Sequence, residues 1–297
     1  MRNMKLWWKR LEEEPSEKRT VKEFLEERNF TWKPISQPCY QKVNDEYKVI
    51  PNHQISVRSD NLYPIAVVKD RYKLLTNEEC FSMANRFLEI YPNAKFISCG
   101  DIMNFSESYL SMILKTVSIC GDEFGVWLTF TNGFDGRNAT NATVSLIRIK
   151  DHNVFQYFDK NHPRVWTMGR VNIKTDFIHI HEDIEMYIKY AQELCEKMNS
   201  KEIILNEVVG EIVAIDWKKT RRVNKNLAII KEYSREIYMK NNGKTLYDLF
   251  FAFADYYHNY PRMRIDKLGD DKRFQSAMIK YNYELYDYHT KMLTFLN

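Results

Sequence analysis

Residues 121–149 read GDEFGVWLTFTNGFDGRNATNATVSLIRI, and this stretch decides the fold. Val126, Leu128 and Phe130 alternate with Trp127 and Thr129, Asn132-Gly133 and Asp135-Gly136 supply turn residues, and Val144 to Ile149 resumes the alternation. The pattern predicts a β-hairpin with a polar, decorated tip. Asn132, Asp135, Arg137, Asn138 and Asn141 on that tip are chemically suited to a partner, a phosphate or a metal. Asn-Gly and Asp-Gly also satisfy turns that need positive φ, so a turn role and a binding role both stand. Arg137 is the leading contact candidate, because neither turn geometry nor core packing demands an arginine there.

Outward from the hairpin, Thr20-Val21-Lys22-Glu23 has the capping-box spacing and predicts a short helix through Arg28. Pro34, Pro38 and Pro51 then punctuate short β-branched runs at Tyr47 to Ile50, Ile55 to Val57 and Ile65 to Val68. A second capping box, Thr76-Asn77-Glu78-Glu79, opens a helix with Cys80, Met83, Ala84, Phe87 and Leu88 on one face and Pro92 at its end. Strands are expected again at Lys95 to Ser98, Tyr109 to Val117, Val126 to Thr131 and Val144 to Lys150. After Asp176 the period turns helical, with stripes beginning at Ile184, Ile203, Leu227, Thr245 and Lys272. The expectation is an α+β protein, β-rich in its N-terminal half with a few helices and mainly helical in its C-terminal half. It divides into an N-terminal helical segment over 1–30, a β-rich domain over 31–175 and a helical domain over 176–297.

Composition bounds the function classes. The 297 residues with 44% hydrophobic content suffice for a sizeable core. Forty-four basic against 40 acidic side chains leave a formal charge of +4, too near balance to imply nucleic acid by itself. Cys39, Cys80, Cys99, Cys120 and Cys195 form no C-x-x-C pair, which fits free thiols in a reduced compartment. No apolar run approaches the ~20 residues of a membrane span, and a soluble protein with no membrane contact is expected.

Several motifs invite chemistry. His179-Ile180-His181-Glu182-Asp183 would place two histidines on one face of a strand, but no third ligand completes a zinc set, and no metal is assigned. Gly243-Lys244-Thr245 ends like a phosphate-binding loop, yet Tyr238 stands where the earlier glycine is required, so Thr245 is read as a helix cap. No G-x-S-x-G elbow is present, and nothing selects a Cys–His pair. No catalytic residue and no cofactor is assigned. Trp217, Lys218, Lys219, Arg221, Arg222 and Lys225 form the densest basic run, read either as a solvated helix end or as a nucleic-acid contact. The C-terminal aromatics, Tyr256, Tyr257, Tyr283 and Tyr286 among them, exceed what one helix face needs and suggest a partner or self-association surface.

The order of certain pieces resembles a phage- and plasmid-encoded family whose members carry a domain of unknown function. Those pieces are Val57 to Asp60, Ala66 to Lys73 with Asn77 to Glu79, Gly121 to Glu123, Leu128 to Asn132, Phe134 to Gly136, Arg148, Asn153, Thr245 to Asp248 and Ala252 to His258. Where that family places a cysteine, an asparagine and a threonine after its arginine, this chain has Asp151-His152-Asn153-Val154, and Trp166 to Arg170 lacks the family's histidine. Activity resting on those groups is not carried over. The resemblance implies origin in a phage or other mobile element and leaves the mechanism open.

The resulting expectation is a phage-encoded, non-enzymatic, homo-oligomeric binding protein of the host bacterial cytoplasm. It would sterically block a host anti-phage defence complex, as phage inhibitors of similar size block the Gabija nuclease-helicase. The alternative is a DNA-binding accessory protein for recombination or replication of a mobile element.

Overall fold

The computed structural model describes residues 13–102, 105–137, 139–155, 165–168, 177–213, 220–259 and 284–296. The chain is α+β, with strands dominating the N-terminal half and helices the C-terminal half. Contacts divide its described residues into two compact units, each drawn from separate stretches. The first takes in Met1–Lys115, Val126–Val144 and Arg164–Ile184, and the second Thr116–Gly125, Ser145–Pro163 and Glu185–Asn297. The boundary expected near residue 175 lies outside the described residues.

In the first unit, α1 (Val21–Glu27) starts where the first capping pattern predicts, with Thr20 accepting from the Glu23 backbone N–H. Only half of that box forms, because the Glu23 carboxylate accepts from the Thr20 hydroxyl. β1 (Pro34–Val43), β2 (Glu46–Arg58) and β3 (Pro64–Lys69) make a three-stranded antiparallel sheet in that order. Two expectations fail here. β1 was not foreseen, and β2 runs unbroken through Pro51, because Pro51 lies at the register shift where it pairs with neither β1 nor β3 and so removes no ladder bond. The second capping box is complete, with Thr76 and Glu79 each satisfying the other's backbone donor at the start of α2 (Asn77–Phe81). The helix expected to continue to Pro92 breaks at Ser82 and resumes as α3 (Ala84–Ile90), yet Cys80, Met83, Ala84, Phe87 and Leu88 are all buried as their spacing requires.

A second sheet runs in the order β4 (Lys95–Ile102), β5 (Glu107–Ile119), β6 (Asp122–Gly133), β7 (Thr140–Arg148) and β8 (Val154–Phe155), with β9 (Val165–Met168) also pairing with β7. The opening hairpin is therefore β6–β7. Its strand alternation is weaker than expected: Phe124, Val126, Trp127 and Leu128 are all buried, so both faces of β6 are covered there. Cys120 and Gly121, at φ 50° and 82°, form the two-residue connection from β5 to β6. Within the first unit, Phe24 stacks on Phe96 at 4.9 Å and Phe87 packs on Phe130 at 6.2 Å.

The helices are α4 (Phe177–Ser200), α5 (Leu205–Ile212), α6 (Arg221–Lys240), α7 (Leu246–Asn259) and α8 over residues 284–293. Thr220 caps α6. Thr245 caps α7 as predicted: Asp248 Oδ2 accepts from the Thr245 and Lys244 backbone N–H groups at 3.0 and 2.8 Å, and the Asp248 N–H returns to Thr245 Oγ1 at 3.4 Å. In the second unit, Phe155 packs between Phe250 (5.6 Å) and Tyr187 (6.3 Å), and Phe124 meets Phe251 at 5.7 Å. Among the described residues no helix is long and apolar enough to cross a membrane.

Candidate functional site

β1 and β2 extend beyond the reach of β3. β3 pairs only with His53–Val57, so the stretch from Tyr40 to Val49 is a two-stranded arm. Asn44 and Asp45, at φ 48° and 65°, make a tight turn between Val43 and Glu46 whose twist suits a hairpin. Side chains opposite one another share a face. The pairs Tyr40↔Val49 and Lys42↔Tyr47 therefore build one face, and Gln41↔Lys48 and Val43↔Glu46 the other. Tyr40, Tyr47 and Val49 are 53%, 74% and 55% exposed, and the opposite face is also open.

The arm's charges cancel locally. Lys42 pairs with Asp45 at 2.6 Å and Lys48 with Glu46 at 3.7 Å. Its outer edge is guarded by Pro38 and a register shift between Pro38 and Tyr40, features that discourage strand addition. What remains for contact is the aromatic face. Two tyrosine rings of roughly 200 Å² each, exposed to this extent, leave roughly 250 Å² to bury, or about 6 kcal/mol at about 25 cal/mol per Å² before association costs. Asn44-Asp45 between alternating segments was the signal for this hairpin in the sequence, obscured by the neighbouring prolines.

The base of this sheet is locked by Arg58. Its guanidinium lies between the rings of Trp32 (4.4 Å) and Phe105 (4.6 Å), donates to Asp60 at 2.7 and 2.9 Å, and pairs with Asp101 at 2.5 Å. Burial pushes the Asp101 carboxyl upward even though Ser108 and Arg58 both donate to it.

The β6–β7 tip divides its predicted residues between inside and outside. Asn132 is fully buried and its amide donates to the Leu75 carbonyl at 3.0 Å and to Asn77 Oδ1 at 3.3 Å, so it is a core tie rather than a partner contact. Asp135 accepts the Arg137 backbone N–H at 2.9 Å in a local turn. Arg137 is exposed, whereas Asn138 lies outside the described residues. Close by, buried Glu107 was missed by sequence reasoning. Burial raises its carboxyl to about 7, and the charge of Asp135 adds to the shift.

In the second unit, pieces far apart in sequence meet. Arg148 is 4% exposed, donates twice to Asp151, pairs with Asp122 at 3.1 Å and sits 4.0 Å over the Phe251 ring. Asp122 also accepts from Tyr247 at 3.0 Å and from Lys150. Burial alone would raise the Asp122 carboxyl, but Lys150, Arg148 and Tyr247 together hold it below the ordinary carboxylate range. Asn153, fully buried, donates to Asp255 at 3.3 Å and accepts from His258 at 3.3 Å, while Tyr233 donates to Asp255 at 2.8 Å. Asp122, Arg148, Asn153, Tyr247 and His258 all belong to the family-like pieces noted above.

Chemically this network is a clamp. Asp122 has three donors, Arg148, Lys150 and Tyr247, and Asp151 is held by Arg148 and the Asn153 N–H. Burial pushes the Cys120 thiol to about 11 and Cys195 well above its usual value, which keeps both protonated at neutral pH.

The aromatic surplus lies largely inside. Tyr256 and Tyr257 are buried at 8% and 2% exposure, Tyr256 packing on Tyr233 at 5.5 Å and Tyr257 on Tyr288 at 6.1 Å, which removes both from a solvent-facing contact. Tyr286 is half-buried on α8, and Tyr283 lies outside the described residues. Trp217, Lys218 and Lys219 lie outside them too, as does the side chain of Arg222, while Arg221 and Lys225 are exposed on the first turns of α6. His179 and His181 sit on helix α4, not on a strand, where a two-residue step turns the side chains about 200° apart. His181 instead meets the Tyr91 hydroxyl at 3.1 Å.

These features define an α+β protein with a clamped polar interior in one unit and a projecting aromatic arm in the other. Residues 64–278 match DUF932, a domain of unknown function, and the chain belongs to that family. The arm precedes the matched stretch. Neither a curated protein nor a solved structure matches the chain.

Proposed function

We propose that this is a non-enzymatic binding protein that seats the Tyr40–Val49 arm in an apolar cleft of a protein partner and acts by steric exclusion. The observation that carries this is the exposed face of Tyr40, Tyr47 and Val49 on a ribbon with both faces open. A free two-stranded ribbon is only marginally stable in water, so covering one face stabilises both ribbon and complex. Local cancellation of the arm's charges favours an uncharged cleft over a phosphate backbone.

The finer proposal is a phage or mobile-element origin, action in the host bacterial cytoplasm, and a host defence complex such as a nuclease-helicase as the partner. Self-association would present several arms at once and raise avidity without new contacts. The test is phage plaquing on bacteria carrying such a defence, with wild-type protein or a Tyr40→Ser/Tyr47→Ser/Val49→Thr variant. Restoration by the wild type alone supports the proposal; equal plaquing with both refutes the role of the arm.

A nucleic-acid reading draws on Arg221 and Lys225, exposed one turn apart and without an ion pair among the described residues. They stand at a helix start, where the dipole disfavours cations. A mobility-shift titration at two salt concentrations, showing affinity that falls steeply with salt, would favour it.

A further inference from the structure

β3 closes one side of the three-stranded sheet, and among the described residues β2 is its only strand partner. The ladder decides which of its backbone groups stay open. The Asp70 N–H donates to the Asn52 carbonyl at 3.1 Å, in line with the register His53↔Lys69, Gln54↔Val68, Ile55↔Val67 and Ser56↔Ala66. Opposed residues in an antiparallel pair alternate between bonded and non-bonded, so Val68 and Ala66 are the residues bonded to β2. Each trans peptide points its N–H and its C=O in opposite directions. The Val67 N–H and C=O, the Lys69 N–H and the Ile65 C=O therefore face away from β2, along the open edge.

This edge lacks the guards of β1. Its central residues, Ile65 to Val68, include no proline and no charge, and the register shift between Ser56 and Val57 lies at its start. The Val67 side chain, 55% exposed, shares its face with Ile55, and Ile35 and Val57 pair beside them on the same face. An apolar stripe thus crosses all three strands and ends at an exposed valine on an unguarded edge.

We propose that β3 pairs antiparallel with β3 of a second copy of this chain, about a two-fold axis at Val67. This rests on the self-association proposed above and assigns it a surface. The outward groups select a second copy because they are self-complementary. On the axis the two Val67 residues exchange N–H···O bonds, and each Lys69 N–H donates to the other copy's Ile65 C=O. The two exposed valines become a β-branched cross-strand pair. Each Lys69 lies opposite the other copy's Ile65, so its stem covers an apolar side chain. The two Lys69 charges stand about 14 Å apart along the strands, beyond the screening length of about 8 Å. A six-residue edge buries less than the roughly 800 Å² per partner of a standard interface, so the dimer is reversible, with a Kd of about 10–100 µM.

The test is analytical ultracentrifugation of the purified full chain from about 1 to about 300 µM, over which the wild type is expected to pass from monomer to dimer. Val67→Lys sets two cations directly opposite each other and should weaken the dimer at least about tenfold, with an unchanged melting midpoint because the side chain is exposed. Val67→Pro deletes an N–H that β2 does not use and should abolish the dimer, whereas Val67→Thr keeps both shape and backbone and should retain it. The Tyr40→Ser/Tyr47→Ser/Val49→Thr arm variant should dimerise as the wild type does. A wild type that stays monomeric throughout, whether or not another protein's strand takes the edge, would overturn the edge pairing and the self-association together. A dimer that survives both Val67→Lys and Val67→Pro, or that is lost in the arm variant alone, would overturn the edge pairing and leave self-association standing.

Discussion

Glu107→Gln should change how the stability of the first unit depends on pH. Burial raises the Glu107 carboxyl from 4.5 to about 7, with the Asp135 charge contributing in the same direction. A carboxyl raised in the fold holds its proton more tightly than in the unfolded chain. Its stabilising contribution is therefore fully present below about 4.5 and is lost as pH rises through about 7. At about 1.36 kcal/mol per unit, the wild type should lose roughly 2.5 kcal/mol from this group between about pH 5 and about pH 8. Glutamine mimics the protonated carboxyl and cannot ionise, so the variant should gain that amount on the wild type over the interval. The assay is urea unfolding across that range, followed by the fluorescence of Trp32 and Trp127 in the same unit. At a slope of about 2 kcal/mol per M, the midpoint difference should shift by about 1 M. Other titrating groups cancel in the comparison. A midpoint difference that stays constant with pH would refute the argument that Glu107 is buried without adequate compensation.

The remaining predictions act elsewhere. His289 stacks on Phe250 at 3.4 Å and burial lowers its imidazole to about 3, so its neutral form stabilises the fold above 6.5 and that support is lost as pH falls toward 3. His289→Gln should therefore remove about 2 kcal/mol of acid sensitivity between about pH 7 and about pH 5, measured by the same unfolding comparison. Arg148→Met leaves Asp122 and Asp151 without their buried cation and should cost about 3–5 kcal/mol; Asp151→Asn in that background should recover part of the loss in a double-mutant cycle. Thr76→Ala removes the complete capping box of α2 and should cost about 1 kcal/mol in thermal unfolding.

Local physics made much of the fold legible. Thr20, Thr76 and Thr245 announce helix starts because a hydroxyl three residues ahead of a carboxylate can satisfy backbone donors, and all three sit at helix starts in the structure. The β6–β7 hairpin follows from strand period and turn residues that act over a few neighbours. Where the local signals conflicted, the reading failed. Prolines at 34, 38 and 51 hid the β1–β2 arm, since whether a strand proline is tolerated depends on which side has a partner. His179 and His181 suit a strand or a helix equally by pattern, and the chain resolved them into α4.

By itself, then, the sequence determined the α+β class, the positions of the helix caps, the hairpin and the family-like order of its pieces, because these rest on contacts between near neighbours. Only the tertiary structure decided what those pieces do. It turned Asn132, Tyr256 and Tyr257 inward, joined Asp122, Arg148, Tyr247 and the Asn153–His258 pair into one clamp, and left Tyr40, Tyr47 and Val49 facing solvent. Burial and charge compensation depend on which distant segments pack together. No spacing along the chain encodes that for a single residue.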